Sequence, residues 1–313
     1  SSALWTFSTL GWPDNIGPDS DFAKYHPTNI LVTGHEILFF WVARMILMTG
    51  YSLGTIPFKS VYITGMVRDS KGQKMSKSLG NGGDPVEISN KYGADALRMF
   101  YAMSTTPGTD TRIYEDKIKG YKHFGNKLWN ITRFVLSAIA ENPHTSSDEF
   151  KFDPNFMNSS SITDQDKAVY EEWRTHFTNI SENLSEPSYK IHLAAEELYH
   201  YIWHTFADQI LEASKPILKP EFAKSIVGDT ESEADKVIDA DLQDPDDKAY
   251  LKAAAISRAQ TLLHILREIL LTTHPFMPHI TQEIWSLLPS DMRDPQSGQE
   301  KKEKNQGCVF LPF

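Results

Sequence analysis

Short apolar runs rich in β-branched residues, and one long apolar run, dominate the first part of the chain. Residues 29–33 and 60–64 have the length and composition of strands. The run 35–49 between them is long enough for a buried helix, and Gly50 follows it. This order predicts a βαβ unit with parallel strands. Both strands then end at the same edge of the sheet, where open α/β sheets bind ligands.

The segment 68–83 leaves that edge and predicts a loop, because it is rich in Gly, Ser and Lys. It ends at 84–87 (Asp-Pro-Val-Glu), whose residue types predict a capped helix start. Gly93 ends this helix, and the run 94–103 predicts the next one. Residues 1–27 are rich in Pro, Gly and Asp and predict mostly loop.

From about residue 115 the spacing of apolar positions becomes helical. Pro216, Pro275 and Pro289 are predicted to lie just past helix ends. Helices are predicted over 116–141, 164–184, 189–215, 246–273 and 278–288. The sequence therefore predicts an α/β part followed by an all-α helical bundle. The predicted domains are 1–113 and 114–313.

Composition narrows the class of protein. Hydrophobic residues make up 40% of the 313 residues and charged residues 23%, as in ordinary globular proteins. A single cysteine, Cys308, excludes an intramolecular disulfide and indicates a reducing compartment, which we take to be the cytoplasm. The most apolar run, 37–48, is shorter than the roughly 20 residues that a membrane span needs. We therefore expect no membrane partner.

The net charge of −10 disfavours a nucleic-acid partner, but the charge is unevenly distributed. Residues 221–247 contain ten acidic residues and two lysines, so this segment alone accounts for −8. We expect it to be a loop or an insertion between helices. Because the remainder is close to neutral, basic faces elsewhere on the protein are compatible with the composition.

The loop 68–83 carries the sharpest chemical signal. It contains four glycines, several serines, and lysines at 71, 74 and 77. Glycine makes such a loop mobile, and ammonium and hydroxyl groups bind phosphate oxygens. A cationic loop that closes over a triphosphate can stabilise charge that develops in a transition state. On composition alone, an exposed and solvated loop without a ligand is the competing interpretation.

The string Lys74-Met75-Ser76-Lys77-Ser78 resembles the KMSKS signature of class I aminoacyl-tRNA synthetases. The wider run 67–81 resembles the valine, isoleucine and leucine branch of that class. Residues 31–45 (Leu-Val-Thr-Gly-His-Glu-Ile-Leu-Phe-Phe-Trp-Val-Ala-Arg-Met), 1–13 and 120–135 resemble its valine members in particular. The likeness is close over about 1–140 and continues more loosely to Trp285. Several linked motifs in one order make it specific.

The resemblance implies phosphate chemistry for the KMSKS residues. They would contact the ATP phosphates and stabilise the departing pyrophosphate, and the catalytic set is Lys74, Lys77, Ser76 and Ser78. The implied ATP-binding residues are Gly34 and Glu36 at the ribose, the main chain of Met66 and Val67 at the adenine, and Lys77. The implied partners are ATP with Mg²⁺ as substrate, valine and tRNA(Val). A monomer without a bound metal or organic cofactor is expected.

The resemblance also places Trp41 in the wall of a pocket sized for the isopropyl group of valine. Core packing in a buried helix is the alternative role for this side chain. Two departures from the family pattern stand out. Glu36 occupies a position where related chains usually carry Asp, and Gly82-Gly83 replace residues that tend to be aliphatic. The two glycines are expected to loosen the hinge of the KMSKS loop.

The chain contains no His-x-Gly-His string, although the family needs a HIGH-type motif to bind ATP phosphate. We therefore expect a fragment: the second half of a Rossmann-type catalytic domain plus an anticodon-binding bundle, unable to form valyl-adenylate alone. An isoleucine enzyme is the near rival, but 37–41 (Ile-Leu-Phe-Phe-Trp) differs from the Gln-His-Arg-Gly-Trp usual there. A non-catalytic tRNA-binding protein derived from a synthetase is another alternative. A Walker-type phosphate loop is absent.

The predicted helix 116–141 carries a polar stripe. At ~100° per residue, the five Lys, Arg and Asn side chains that make up the stripe fall within an arc of roughly 80°, opposite an apolar face. The stripe and the aromatic residue at its rim are Lys119, Lys122, Asn126, Trp129, Asn130 and Arg133. Such a stripe suits phosphate contact and base stacking, whereas a solvated helix face is the simpler interpretation. The family resemblance implies tRNA binding.

Two other pairs of residues receive less weight. His200 and His204 are four apart on a predicted helix, but no third metal ligand is apparent, so a packing or surface role is expected. Asp95 and Arg98 are three apart on a helix and could pair with each other.

Overall fold

The computed structural model describes residues 2–75, 84–104, 106–147, 149–187, 189–219 and 245–293. The chain divides into two compact units that alternate along the sequence. The first unit consists of Ser1–Asp84, Tyr101–Glu115 and Asn183–His192, and the second of Pro85–Phe100, Asp116–Glu182 and Leu193–Phe313.

A parallel strand pair lies at the centre of the first unit. Strand β1 (Thr28–Gly34) pairs with β2 (Phe58–Thr64) in parallel, in a register that joins Leu31 to Val61 and Gly34 to Thr64. A helix connects the two strands, so the predicted βαβ unit is confirmed. Its small apolar core contains Leu31, Val42, Met45 and Phe58.

The helix between these strands, α3 (His35–Leu53), is longer than predicted. It opens with a 3-10 turn and a short π segment, and Gly50 lies inside it. It ends at Gly54, whose φ of 69° is a left-handed conformation that glycine adopts readily. The expected end at Gly50 is wrong, since the helix continues one more turn. A single glycine inside a helix costs only about 1 kcal/mol, which tertiary packing outweighs.

Helix α3 is 19 residues long and strongly apolar, and only a small part of it is buried. By length and composition alone it could cross a membrane, a criterion that core helices of globular proteins also meet. The 12-residue apolar run 37–48 underestimates the length of this helix, because the helix extends beyond the run at both ends.

Residues 2–27 contain short helices that their composition does not predict. They form α1 (Trp5–Ser8) and α2 (Asp21–Tyr25), the latter capped by Ser20, which accepts from the Ala23 N–H at 3.2 Å. Phe7 is buried, and a buried hydroxyl pair joins Thr6 to Thr49 on α3 at 3.0 Å. The prediction of mostly loop holds for slightly more than half of residues 2–27, and it missed these short helices because tertiary contacts rather than local periodicity hold them.

Short elements complete the part of the chain before the long helices. Strand β3 (Val67–Arg68) pairs in parallel with β4 (Thr111–Arg112). Helices α4 (Pro85–Tyr92) and α5 (Ala94–Ser104) lie between them along the chain, separated at Gly93, whose φ is 96°. Both helices lie where the capping and apolar patterns predict them.

The second unit is built of long helices that agree with the predicted ones. Their apolar faces are buried, as shown by Phe124, Leu128, Trp173 and Leu266. The long helices are α6 (Glu115–Glu141), α7 (Asp164–Leu184), α8 (191–218), α9 (Pro245–Thr273) and α10 (Pro278–Leu287), and α11 (Ser290–Arg293) is a single turn. Most of the acidic segment 221–247 lies outside the described residues.

Helix α8 departs from the prediction in two respects. Its middle third, Tyr201–Ile210, is π-helical, a form that no periodicity in the sequence indicates. Pro216 lies inside the last turn instead of past the end, and the helix closes where the Lys219 N–H donates to the Lys215 carbonyl at 2.7 Å. A proline this close to a helix end removes only one backbone donor from the ladder.

Asp95 and Arg98 do not pair with each other, contrary to expectation. Asp95 accepts from the backbone N–H groups of His279 and Ile280, at 3.1 and 2.7 Å, and so caps the first turn of α10. Arg98 donates to the carbonyls of Pro275 and Phe276 at 2.7 and 3.3 Å. Both side chains thereby satisfy backbone groups around the break between α9 and α10, which neither could satisfy by pairing locally.

A buried ion pair links two long helices of the second unit. Arg258 on α9 donates to Asp166 on α7, and their side chains are 1% and 3% exposed. Arg258 also donates to Ser214 on α8 at 3.0 Å. Thr163 caps α7, because its hydroxyl accepts from the Asp166 N–H and donates to the Asp166 carboxylate, while its own N–H donates to Ser257 on α9 at 2.9 Å. These bonds form a polar network that joins three helices.

Candidate functional site

The carboxyl edge of the β1–β2 pair brings together the predicted nucleotide-binding positions of the first unit. Gly34 ends β1 opposite Thr64, and Glu36 follows Gly34 within two residues. Met66 and Val67 follow Thr64 in the same way. A Cβ atom on Gly34 would meet no atom of the described residues within 4 Å, so that part of the structure leaves the space above this backbone open. A ligand could approach the main chain there.

Lys74 is presented by a tight hairpin at this edge. The Asp69 carboxylate accepts from the N–H groups of Lys71 and Gln73 at 3.0 and 2.8 Å, and Gly72 takes a φ of 81°. The hairpin closes in an antiparallel bridge between Arg68 and Lys74. Of the predicted catalytic set, Lys74 is described, whereas Ser76, Lys77, Ser78 and the glycines at 82 and 83 lie outside the described residues.

Lys74 and Glu36 form an ion pair, with Nζ and Oε2 2.8 Å apart. Both side chains are about half exposed. The hydrogen bond from Lys74 is the largest cause that lowers the pKa of Glu36, and its positive charge acts in the same direction. The structure therefore joins a predicted phosphate-binding residue to the predicted ribose-binding carboxylate.

Asp110 is part of this site, although nothing in the sequence pattern singled it out. Its Oδ1 accepts from the Met66 N–H at 2.8 Å, and its Oδ2 accepts from Arg68 Nε at 2.6 Å. These two bonds, the backbone one first, lower the pKa of Asp110 below its ordinary value. The residue lies more than 40 positions from its partners, so only the fold brings them together.

Trp41 lies in the π segment of α3 and is half buried. It packs, together with Leu38 and Val61, against the core cluster of Leu31 and Met45. Part of the ring therefore serves as core, and its role in a substrate pocket stays a prediction.

The polar stripe of α6 lies on the surface of the second unit. All six stripe residues are exposed, and their side chains make no hydrogen bond or ion pair with another residue within the described ranges. The neighbouring Lys127 is engaged differently: it pairs with Asp208 at 2.7 Å and lies over the Trp203 ring. The opposite face, with Phe124, Leu128 and Val135, is buried as predicted.

A cleft of about 390 Å³ in the second unit is a rival location for a ligand. Its central carboxylate, Glu268 on α9, accepts from Trp173 Nε1 at 2.6 Å and Tyr170 Oη at 2.9 Å on α7. Arg174 donates to the same carboxylate at 3.4 Å. These bonds join two helices, so the Glu268 carboxylate already has structural partners.

Metal-ligand geometry is not found among the described residues, where no group of three or more His, Cys, Asp or Glu side chains converges. His200 and His204 stack with their ring centroids 5.5 Å apart. His204 lies 3.8 Å from Asp208, on the exposed side of α8.

Comparison with known families gives two matches. The model described as "tRNA synthetases class I (I, L, M and V)" matches residues 1–114, and the one described as "Anticodon-binding domain of tRNA ligase" matches residues 166–311. The two ranges together cover most of the chain, and α6 lies between them. The first range contains the Glu36–Lys74 site, and the second contains α7 to α11.

Curated relatives agree with these matches. The chain is 38% identical, over 93% of its length, to the valine–tRNA ligase of Carboxydothermus hydrogenoformans, and 34% identical, over 99%, to that of Aquifex aeolicus. It spans 28% and 24% of the length of these two proteins.

Solved structures show the same fold at lower identity. Mycobacterium tuberculosis methionyl-tRNA synthetase in complex with methionyl-adenylate matches 91% of this chain, and the chain covers 49% of it, with a TM-score of 0.63 and 22% identity. The leucyl enzyme of Agrobacterium radiobacter K84, in a ternary complex with tRNA, matches 94% and is covered to 32%, with a TM-score of 0.60 and 17% identity. The chain belongs to the class I aminoacyl-tRNA synthetases, and both curated relatives named above are valine–tRNA ligases.

Proposed function

We propose that this chain is a segment of a valine–tRNA ligase, an enzyme that activates valine with ATP and esterifies the product to tRNA(Val). The relationship to valine–tRNA ligases over more than nine-tenths of the chain is the observation that carries the proposal. Residues 1–113 are then the second half of a Rossmann-type catalytic domain, and residues 114–313 are an anticodon-binding helical bundle. The family matches to residues 1–114 and 166–311 support this division, although the compact units divide the chain differently and place 85–100 in the second unit.

In the proposed catalytic half, ATP binds at the carboxyl edge of β1 and β2. The open space above Gly34 and the carboxylate of Glu36 suit a ribose, and the main chain at Met66 and Val67 suits an adenine edge. Lys74, with Ser76, Lys77 and Ser78 of the same loop, supplies positive charge and hydroxyl groups to the phosphates. Catalysis here is positioning and charge stabilisation as pyrophosphate leaves, with Mg²⁺ arriving with ATP as part of the substrate.

The 2.8 Å bond between Lys74 and Glu36 adds a step to this scheme. The Lys74 ammonium carries three N–H donors, so in this scheme ATP binding turns some or all of them from the Glu36 carboxylate to phosphate oxygens. Because both groups are half exposed, water screens their attraction, and the exchange costs little.

Trp41 lines the valine pocket in this proposal, with part of its ring held by the core cluster. The anchoring fixes the wall of the pocket, which suits discrimination by shape. One methylene group separates isoleucine from valine and is worth only about 1–3 kcal/mol. The valine relatives favour valine over isoleucine as the substrate of this chain.

The proposed tRNA interface is the exposed stripe of α6. Lysine and arginine contact phosphates, the asparagine amides reach base edges, and Trp129, which is 37% exposed, offers a face on which a base can stack. The absence of partners for these side chains among the described residues leaves their donors available to RNA.

The first unit has features of an incomplete domain. Parallel sheets are covered on both faces, yet within the described residues this one has two strands, and Val32, Phe39, Leu47 and Tyr51 are each more than half exposed. We attribute this apolar surface to the remainder of the catalytic domain, which would cover it. Because that remainder of the catalytic domain is needed for activity in this proposal, the chain alone is unable to form valyl-adenylate. As a monomer of the cytoplasm, the intact enzyme would bury the apolar face of α3 in its core.

The test is a chimera in which this chain replaces the matching segment of the C. hydrogenoformans ligase. We expect valine-dependent ATP–pyrophosphate exchange by the chimera and none by the 313-residue chain alone. A matched chimera with Lys77→Ala should retain its fold, checked by circular dichroism, and lose exchange activity by about 10²-fold or more. A folded chimera that binds tRNA but activates no amino acid would favour the non-catalytic alternative.

A further inference from the structure

We propose that Asp110 is a positioning residue of the ATP site: it holds both the adenine-facing main chain at Met66 and the base of the KMSKS loop. This inference rests on the proposed function for its kinetic consequence, but the anchoring itself is a property of the fold. Asp110 comes from a segment outside the loop, so it can restrain the loop from a separate part of the first unit.

The first anchor is at Met66. The Met66 N–H donates to Asp110 Oδ1 at 2.8 Å, and the Met66 carbonyl accepts from the Thr111 N–H at 2.9 Å. Both backbone groups of this residue are therefore bonded to adjacent residues of a single segment. Asp110 and Thr111 therefore fix the orientation of the backbone at Met66. This is the stretch of main chain that would face an adenine.

The second anchor is at Arg68, where the loop begins. Asp110 Oδ2 accepts from Arg68 Nε at 2.6 Å, and Arg68 Nη1 donates to the Gly72 carbonyl at 3.2 Å. The Arg68 carbonyl accepts from the Ile113 N–H at 3.0 Å. Since Arg68 also bridges to Lys74, one carboxylate is connected through a single arginine to the residue that would touch phosphate.

The backbones between these anchors are too close to shift independently. A Cβ atom on Gly65 would lie 1.8 Å from the Thr109 carbonyl oxygen, so only glycine fits there. The chain on both sides of Met66 is thus in direct contact with the segment that carries Asp110. A displacement of Asp110 would move the root of the loop with it.

The chemistry of the carboxylate predicts a graded series of variants. Asp110→Asn keeps an acceptor for the Met66 N–H but loses the charge that faces Arg68. Asp110→Ala loses both bonds. Asp14, which is exposed in the same unit, provides a matched control as Asp14→Ala.

Amide hydrogen exchange in the 313-residue chain measures the anchoring without any ligand. In Asp110→Ala we expect the Met66 amide to exchange at least about tenfold faster, as the loss of one charge-assisted hydrogen bond allows. The Leu31 and Val32 amides of β1 should not change, which separates loss of the anchor from loss of the fold. Asp14→Ala should leave all of them unchanged. An unchanged Met66 amide in a folded Asp110→Ala chain would overturn the proposal.

Steady-state kinetics of the C. hydrogenoformans chimera measure how the loss of the Asp110 anchor affects the use of ATP. We expect Asp110→Ala to raise the KM for ATP about tenfold while the KM for valine stays within about twofold, with Asp110→Asn between it and the unsubstituted chimera. If Asp110 only stabilised the fold, Asp110→Ala would reduce the amount of folded enzyme, which lowers the apparent kcat and leaves both KM values unchanged. That result would overturn the positioning role. If the unsubstituted chimera activates no valine, the proposed function fails, and amide exchange still decides whether Asp110 is the anchor.

Discussion

At the scale of single residues, Lys74 and Glu36 show how the fold assembles a site from distant positions. They lie 38 positions apart in the sequence and meet at 2.8 Å, because parallel strands deliver both to one edge. The resemblance to class I synthetases assigned Lys74 to the phosphates of ATP and Glu36 to its ribose. The structure adds that the two side chains form an ion pair with each other.

The ion pair predicts a measurable change in the ionisation of Glu36. The substitution Lys74→Met should raise the pKa of Glu36 toward its ordinary value of 4.5, because the hydrogen bond and positive charge that lower it are removed. In the unsubstituted chain the contact is present above this value and is lost as the pH falls through the lowered pKa. The measurement is an NMR titration of the Glu36 carboxyl carbon.

The exposed Lys59 on β2 serves as the control for that titration. Lys59→Met removes the same charge from the same unit without touching Glu36, so it should leave the pKa where it is. A pKa of Glu36 that does not move in Lys74→Met would show that the ion pair is not populated in solution.

Residue-scale prediction failed where partners come from far along the chain. Asp95 and Arg98 are at helical spacing, which predicts a local pair, yet both bond to backbone groups near residue 278. Asp110 is surrounded by no motif at all. Spacing rules describe neighbours on one element, and they carry no information about which unpaired backbone groups the fold will place nearby.

At the scale of elements, the buried Asp166–Arg258 pair joins α7 to α9 and predicts a large effect on stability. Asp166→Asn would leave the guanidinium buried without its counter-charge, which costs about 3–5 kcal/mol. Urea unfolding followed by tryptophan fluorescence measures this, since Trp173 on α7 is fully buried.

Asp164, in the first turn of the same helix, is exposed and supplies the matched control. Asp164→Asn should cost less than about 1 kcal/mol, because exposed charges interact mainly with water. The double substitution Asp166→Leu with Arg258→Met should recover much of the loss by replacing the ion pair with apolar packing. Equal unfolding free energies for Asp166→Asn and the unsubstituted chain would contradict the account of this network.

The stripe on α6 predicts how tRNA affinity depends on salt. Lys119→Ala with Lys122→Ala should weaken binding for every tRNA and reduce the slope of log K against log salt by about 1–2, if each lysine contacts one phosphate. Titrations at several salt concentrations give the slope. Lys167→Ala, which removes an exposed lysine of α7, should leave it unchanged. A slope that the double variant does not alter would remove the stripe from the interface.

Elements with a strong period could be predicted from the sequence, and those held by tertiary contacts could not. The long helices α6, α7, α9 and α10 and the strands β1 and β2 follow their apolar spacing closely. By contrast, α1 and α2 are too short to show a period, and the π segment of α8 has no spacing signature. The length of α3 was missed because Gly50 looked like a stop, whereas the helix passes through it.

At the scale of the whole molecule, the sequence identifies the family more readily than it shows which further part of the protein packs on the first unit. The chain spans 28% of the length of its C. hydrogenoformans relative, and its first unit exposes apolar side chains of α3 and β1 beside a two-stranded parallel sheet. Motifs report chemistry that is local in sequence, such as the KMSKS loop. They do not report which further chain covers an apolar face, and that is why activity is assigned here to a larger protein.

The most direct measurement is equilibrium binding of this chain to two tRNA transcripts that differ only in carrying a valine or an isoleucine anticodon, at one fixed salt concentration. The account predicts at least about tenfold tighter binding of the valine transcript, since anticodon mismatches in a specific contact cost on the order of 1–3 kcal/mol. The preference should fall in Asn126→Ala, because the asparagine amides of the stripe are the groups proposed to reach base edges. Equal affinity for the two transcripts would contradict the assignment of valine anticodon recognition to the helical bundle.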